Sequence, residues 1–420
     1  MQILKNKIGN PGLINYIFGG FGFAFLLFFV LPVFFDPGHK MLFPGTFMTA
    51  DIIGNDLLTI VSYSGAYFRD GVSPYAGQYY FYPPFTVLLF APFSFLPHVG
   101  AFFLFSLITF FSYILYLAFF PSKFSGKKIS GSVFVFFLIT GLLSYGFQFE
   151  IERGQFNVIA VVLCVSAIYI FHYKPKWRLL SYLLFVISVQ LKIYPAIFVL
   201  LLVDDWHAWK QNLIRFASLS AVSFLFLLIL GKGLFSEFLY NVIFYVENPV
   251  SWTGNHSISS FVSLVTQKSV EKLGMTELSW TAAFAPAARI ALLLAYLTVL
   301  FFSVRDIYIK NAKGFSRTLF FVCVIGSQII PAISHDYKLA LTSLPVLLMF
   351  DEFENRWNIN ADAVSRVLMF FSSFFYSALL FSYTNKPVFL SNNFPVLFLL
   401  LLTVFALHKR LEKNNIQPRM

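Results

Sequence analysis

The chain has 420 residues, of which 58% are hydrophobic and only 12% charged. A soluble globular protein carries about a quarter charged residues, so the polar surface here is too small to cover a water-soluble body. Apolar runs of roughly 17–25 residues, long enough to cross hydrocarbon, recur along the whole length. The basic excess of +11 sits in small groups between those runs, where membrane topology puts it, and argues against nucleic acid as a partner.

The first apolar run, 13–35, follows Lys5 and Lys7 and is too long for a cleavable signal peptide, so it reads as a first spanning helix. A long outer loop, 36–82, comes next. Residues 83–96 open with two prolines and are too short to span, so they read as a re-entrant or interfacial helix on the outer side. Spanning helices are expected near 99–120, 132–148, 156–172, 179–190, 192–203 and 216–231. A second long outer loop, 232–281, precedes those expected near 282–303, 318–333, 338–350, 365–382 and 392–408. With both termini inside, basic clusters such as Lys123/Lys127/Lys128 and Arg305/Lys310/Lys313/Arg317 all fall on the cytoplasmic side. The expected fold is therefore an all-α polytopic bundle of about 12 transmembrane helices. It forms one domain over 1–420, in the cell's inner (plasma) membrane. Cys164 and Cys323 both lie inside apolar runs, which argues against a disulfide framework or a thiolate metal site.

On this topology the unusual polar residues gather on the outer face. They are Asp51, Asp56, Arg69 and Asp70, then Glu150, Glu152, Arg153, Gln155 and Asn157, then Lys192, His256, and finally Ser334, His335, Asp336 and Lys338. Ionisable residues at membrane depth are costly unless paired or facing water, which makes them functional candidates. Blander readings stand beside them. Asp51 and Asp70 suit a solvated loop, and Glu150 a surface carboxylate. Glu152-Arg153 reads equally as an ion pair or as a substrate contact, His256 as a helix cap, and His335-Asp336 as a local hydrogen-bonded pair. Lys192, beside a proline between two short apolar helices, is harder to explain without a function. Phosphate-cradling Gly-rich loops, His-x-x-x-His pairs and Ser nucleophile elbows are absent from the sequence, and neither a metal nor a cofactor is called for.

Five segments, in order and each at the predicted outer face, carry a resemblance. The first holds Asn55-Asp56-Leu57, Ser73-Pro74-Tyr75 and Tyr82-Pro83-Pro84-Phe85; the second is Glu152-Arg153-Gly154-Gln155-Phe156-Asn157; the third is Leu191-Lys192-Ile193-Tyr194-Pro195. Gly254-Asn255-His256-Ser257-Ile258 and the stretch from Pro331 to Lys338 match more weakly. Over roughly 50–350 the chain resembles glycosyltransferase family 87, the polyprenol-phosphate-sugar-dependent transferases of the GT-C fold; 351–420 would be C-terminal transmembrane helices.

The resemblance implies a membrane hexosyltransferase, most simply a mannosyltransferase. Its partners would be a polyprenyl-phosphate-linked sugar donor, a glycan or glycolipid acceptor, and membrane lipids. Asp56 matches the expected catalytic base, with Asp51 the alternative. The expected reaction is a single displacement with inversion. Lys192, Arg153 and His335 are expected to stabilise the departing phosphate, and Tyr82, Gln155, Asn157 and Asp336 to bind sugar, with His256 also a substrate-binding candidate. A polytopic transporter or lipid-linked-sugar flippase is the alternative, although no internal repeat is visible in the sequence.

Overall fold

The computed structural model describes residues 11–27, 53–77, 80–126, 129, 131–273, 277–356, 362–381 and 392–416. Among the described residues the chain is helical, and the sole strand-like feature is one antiparallel bridge between Asn255 and His335. In order, the helices are α1 (Pro11–Phe25), α2 (Asn55–Asp70) and α3 (Pro84–Phe90), the last running into a 3₁₀-turn at Ala91–Phe95. Next come α4 (His98–Ile114) and α5 (Phe120–Ser125), then α6 (Gly131–Leu142), α7 (Tyr145–Arg153), α8 (Asn157–Tyr173) and α9 (Arg178–Leu191). A 3₁₀-helix, Tyr194–Leu201, leads to α10 (Trp209–Leu227), α11 (Lys232–Glu247), α12 (Ile258–Leu273), α13 (Glu277–Ile309) and α14 (Arg317–Ile329). A second 3₁₀-helix, Asp336–Thr342, precedes α15 (Ser343–Arg356), α16 (Ala363–Leu379) and α17 (Phe394–Ile416).

The all-helical membrane reading holds, but the expected count of twelve spans is not reached. Among the described residues three helices are long and apolar enough to cross a bilayer: His98–Ser125, Phe284–Ile309 and Phe394–Lys413. The number rises to five if each of two bent pairs is one span, α6 with α7 (42°) and α10 with α11 (107°). Several runs expected to span are instead short or broken. The run at 192–203 is a 3₁₀-helix with Pro195 in its first turn, where the missing N–H and fixed φ of proline resist a regular α-helix. The run at 338–350 starts as a 3₁₀-helix and continues as α15. Conversely, both long outer loops contain helices. In α2 the buried Leu57, Ile60, Val61 and Ser64 follow the i, i+3, i+4, i+7 spacing of one helical face. The 83–96 segment is helical, as expected.

Two helices form the centre. On α8 and α14 residues are buried on every side, which marks core helices rather than lipid-facing ones. They carry Cys164 and Cys323, both free and buried. A separate aromatic cluster of Tyr75, Tyr80, Tyr82, Phe90, Phe105 and Phe156 joins α2 and α3 to the start of α8. The loop within that cluster is pinned by Asn241 of α11, whose amide donates to the carbonyls of Tyr75 (3.3 Å) and Tyr80 (3.0 Å). The Tyr75 hydroxyl in turn donates to the Tyr82 carbonyl at 2.7 Å.

Candidate active site

The site is assembled where α2 meets the end of α7. Ser144 caps α7 by accepting from the Phe147 N–H (3.3 Å). The helix stops at Gly154, which takes the left-handed conformation (φ 65°). There the Gly154 N–H bonds the Ile151 carbonyl (3.0 Å) and the Gln155 N–H the Glu150 carbonyl (2.9 Å), a Schellman closure. Gly54, also left-handed (φ 78°), donates its N–H to the Glu152 carbonyl at 2.7 Å. This contact seats the start of α2 on the end of α7, and a Cβ on Gly154 would lie 2.6 Å from that of Leu57.

The approach puts Asp56, in the first turn of α2, against residues 97–99 positions further along the chain. A helix N-terminus favours a negative charge there. The Gln155 amide donates to Asp56 Oδ2 at 2.6 Å, and Arg153 Nε lies 3.8 Å from Oδ1. Gln155 Oε1 accepts from the Lys192 ammonium at 2.9 Å. The same ammonium lies over the rings of Tyr82 (4.3 Å) and Phe156 (4.1 Å), a cation–π arrangement. Gly154→Ala is expected to cost at least about 1–2 kcal/mol from the left-handed backbone alone. It should also push α2 away and lower turnover. Thermal unfolding and sugar-transfer rate, measured together, check this.

Two cavities adjoin here. One, of about 360 Å³, is lined by Asp56, Tyr82, Arg153, Gln155, Trp252 and His335 among others. The second, of about 380 Å³, is mainly apolar and runs past Ile197, Val242, Tyr245, Val246 and Ile330, with Lys192 and Lys338 in its wall. Phe81, Tyr82 and Tyr337 line both, so the two share a wall. Exposed Ile193, Val246 and Ile330 edge the apolar groove. Lys338 donates to the Ile333 carbonyl (3.2 Å) and lies over the Tyr194 ring (4.5 Å). Among the described residues no carboxylate lies within ion-pair distance of either lysine.

His335 joins the polar cavity from the loop before the second 3₁₀-helix. Trp252 Nε1, which can only donate, bonds His335 Nδ1 at 3.2 Å, leaving Nε2 as the ring's N–H. Burial, reinforced by the Lys338 charge, pushes this imidazole down to about 3, so it is neutral near pH 7 and serves as a hydrogen-bond donor rather than a cation.

Five of the candidates read from the sequence thus line one cavity: Asp56, Tyr82, Arg153, Gln155 and His335; Lys192 and Tyr82 line the other. Asn157 lies beneath them, its amide donating to the Glu150 carboxylate at 2.9 Å. His256 and Asp336 line neither cavity. They pair with each other at 3.1 Å, with Ser334 Oγ 3.3 Å from the second imidazole nitrogen and Asn393 donating to Asp336 at 2.9 Å. The order Ser–His–Asp resembles a nucleophilic triad, but Ser334 and His256 are wholly buried, so this is a clamp between loops. Asp51 lies outside the described residues.

Glu150 is not the surface carboxylate that its position suggested. The face of α7 that carries it is covered by the second 3₁₀-helix, and the carboxylate also accepts the Val158 N–H at 2.9 Å. Lys338, Trp252 and Tyr337 had no assigned role from the sequence. A lysine interrupting an apolar hairpin was the available signal for Lys338.

A model of glycosyltransferase family 87 matches residues 80–325. The match takes in Tyr82, Arg153, Gln155, Asn157, Lys192 and His256; it is narrower than the 50–350 over which the motifs run, and Asp56, His335 and Asp336 lie outside it. No curated protein matches the chain. With more than half of its length inside the family match and helices suited to a bilayer, the chain belongs to glycosyltransferase family 87 and is a membrane glycosyltransferase.

Proposed function

We propose that the protein moves a hexose, with mannose the first candidate, from a polyprenyl-phosphate donor to a hydroxyl of a glycan or glycolipid. One observation carries this reading: two buried lysines, with no carboxylate in ion-pair distance among the described residues, line an apolar groove that adjoins the Asp56 cavity. Burying an ammonium away from water costs several kcal/mol. A ligand with an apolar tail and an anionic head relieves that cost at both ends. The groove then holds the prenyl chain, the lysines the phosphate, and the polar cavity the sugar and acceptor. Mannose follows from the family resemblance alone.

In this reading Asp56 takes the proton of the acceptor hydroxyl. That oxygen bonds to the anomeric carbon from the face opposite the phosphate. The carbon–oxygen bond to the donor breaks, its electron pair leaves with the polyprenyl phosphate, and the sugar's configuration inverts. Charge builds on the phosphate, where Lys192, Lys338 and the His335 N–H can meet it; such preorganised stabilisation is often the largest catalytic term. The leaving group is a stable anion, so the step requires neither a covalent intermediate nor a metal.

Orientation has its own support. Arg317 pairs with Asp351 (2.7 Å) at the ends of α14 and α15 remote from the site, among Lys310, Lys313 and Arg356. Basic residues favour the cytoplasmic side, which supports a site on the opposite, extracytoplasmic face of the plasma membrane.

The test uses purified protein in lipid vesicles with polyprenyl-phosphate mannose carrying labelled sugar and a panel of glycan and glycolipid acceptors. Label should pass to an acceptor with inverted configuration. Movement of the donor across the vesicle membrane without transfer would overturn the reading in favour of a flippase.

A further inference from the structure

We infer that Gln155 is the positioning residue that couples the phosphate-side cation to the base, by holding one oxygen of Asp56 and leaving the other free. The inference rests on the transferase reading above and deepens it. The orientation of the Gln155 amide follows from its neighbours. Its Oε1 accepts from the Lys192 ammonium (2.9 Å), a group that can only donate, so the amide nitrogen must face Asp56 Oδ2 at 2.6 Å. The backbone on either side is equally constrained, since the Gln155 N–H is spent on Glu150 and the preceding glycine is left-handed. Gln155 is 1% exposed, and its amide nitrogen also lies 3.4 Å from the Tyr82 hydroxyl, a longer contact than the one to Asp56.

Two consequences follow. Oδ2 is tied down, so Oδ1 is the oxygen that meets the acceptor hydroxyl, with Arg153 3.8 Å away. Lys192 also polarises the amide it binds and strengthens the hydrogen bond to the carboxylate, as chains of hydrogen bonds do in a low-dielectric site. The cation that receives the phosphate thus also fixes the amide that holds the base. The sequence suggested sugar binding for Gln155; with its amide engaged on both sides, it acts through Asp56 instead.

The test compares Gln155→Ala and the near-isosteric Gln155→Glu with the unaltered full-length protein. All are held in vesicles with polyprenyl-phosphate mannose and an acceptor that the unaltered protein uses. Gln155→Glu still accepts from Lys192 but does not donate to Asp56 when ionised. Both variants should lose about 10²-fold in kcat, within the range of general-base effects, with the donor KM unchanged within about twofold.

The split between kcat and donor KM separates positioning from packing: Gln155→Glu keeps the side-chain volume and the Lys192 contact, so a loss confined to kcat reports the lost donation to Asp56.

A near-normal rate in Gln155→Glu, or a raised donor KM at unchanged kcat, would overturn the relay while transfer by the unaltered protein stands. Absence of transfer by the unaltered protein from any polyprenyl-phosphate sugar would overturn the transferase reading and the relay together.

Discussion

Asp56→Asn is expected to lower kcat by about 10²–10⁴-fold, the range for removing a positioned general base, while the protein folds and inserts normally. The substitution is isosteric and keeps an oxygen to accept from the Gln155 amide at 2.6 Å, so the seating of α2 on α7 should survive. That seating depends on backbone and glycine contacts, which the change leaves alone. Thermal unfolding should therefore move little, and donor KM should change less than kcat. Donor binding depends on the groove and its lysines rather than on this carboxylate. Transfer by the variant at the unaltered rate would remove Asp56 from the mechanism and turn attention to Asp51.

Lys192→Ala is expected to cost about 10²–10³-fold in kcat/KM for the donor, the scale of losing one preorganised stabiliser of developing charge. Two effects combine in this estimate. The phosphate loses a cation, and Gln155 Oε1 loses the donor that sets its amide orientation. The aromatic rings of Tyr82 and Phe156 now under the ammonium should remain packed, because they belong to the larger aromatic cluster. Lys338→Ala should act in the same direction through the same groove, without disturbing the Asp56–Gln155 contact. Donor titrations of both variants in vesicles measure this. A donor KM and rate unchanged in Lys192→Ala would show that the phosphate lies elsewhere.

The two lysines also illustrate how far local sequence reaches. Lys192, flanked by apolar runs and followed by Tyr194-Pro195, stood out because nothing nearby could solvate it. Lys338 lies in the same short polar stretch as His335 and Asp336. Only folding separates them: Asp336 turns into the clamp with His256 and Asn393, and Lys338 is left facing the groove. Glu150 reversed in the same way, from a solvated end of a helix to a wholly buried carboxylate beneath Lys192.

By itself the sequence determined that this is a helical membrane protein, because apolar content on this scale has no aqueous solution. It also determined the order of polar segments from which the candidate site is drawn, because those segments are short and self-contained. Which apolar runs form long continuous helices was decided only in three dimensions. An apolar run of eight to twelve residues satisfies hydrocarbon equally as half of a broken span, a 3₁₀-turn or an interfacial helix. The pairing of Asp56 with Gln155, 99 positions apart, was likewise decided there. Helical periodicity states which face of an element is apolar, whereas the partner of that face depends on close packing between elements, here the seating of Gly54 against Gly154, which no local pattern encodes.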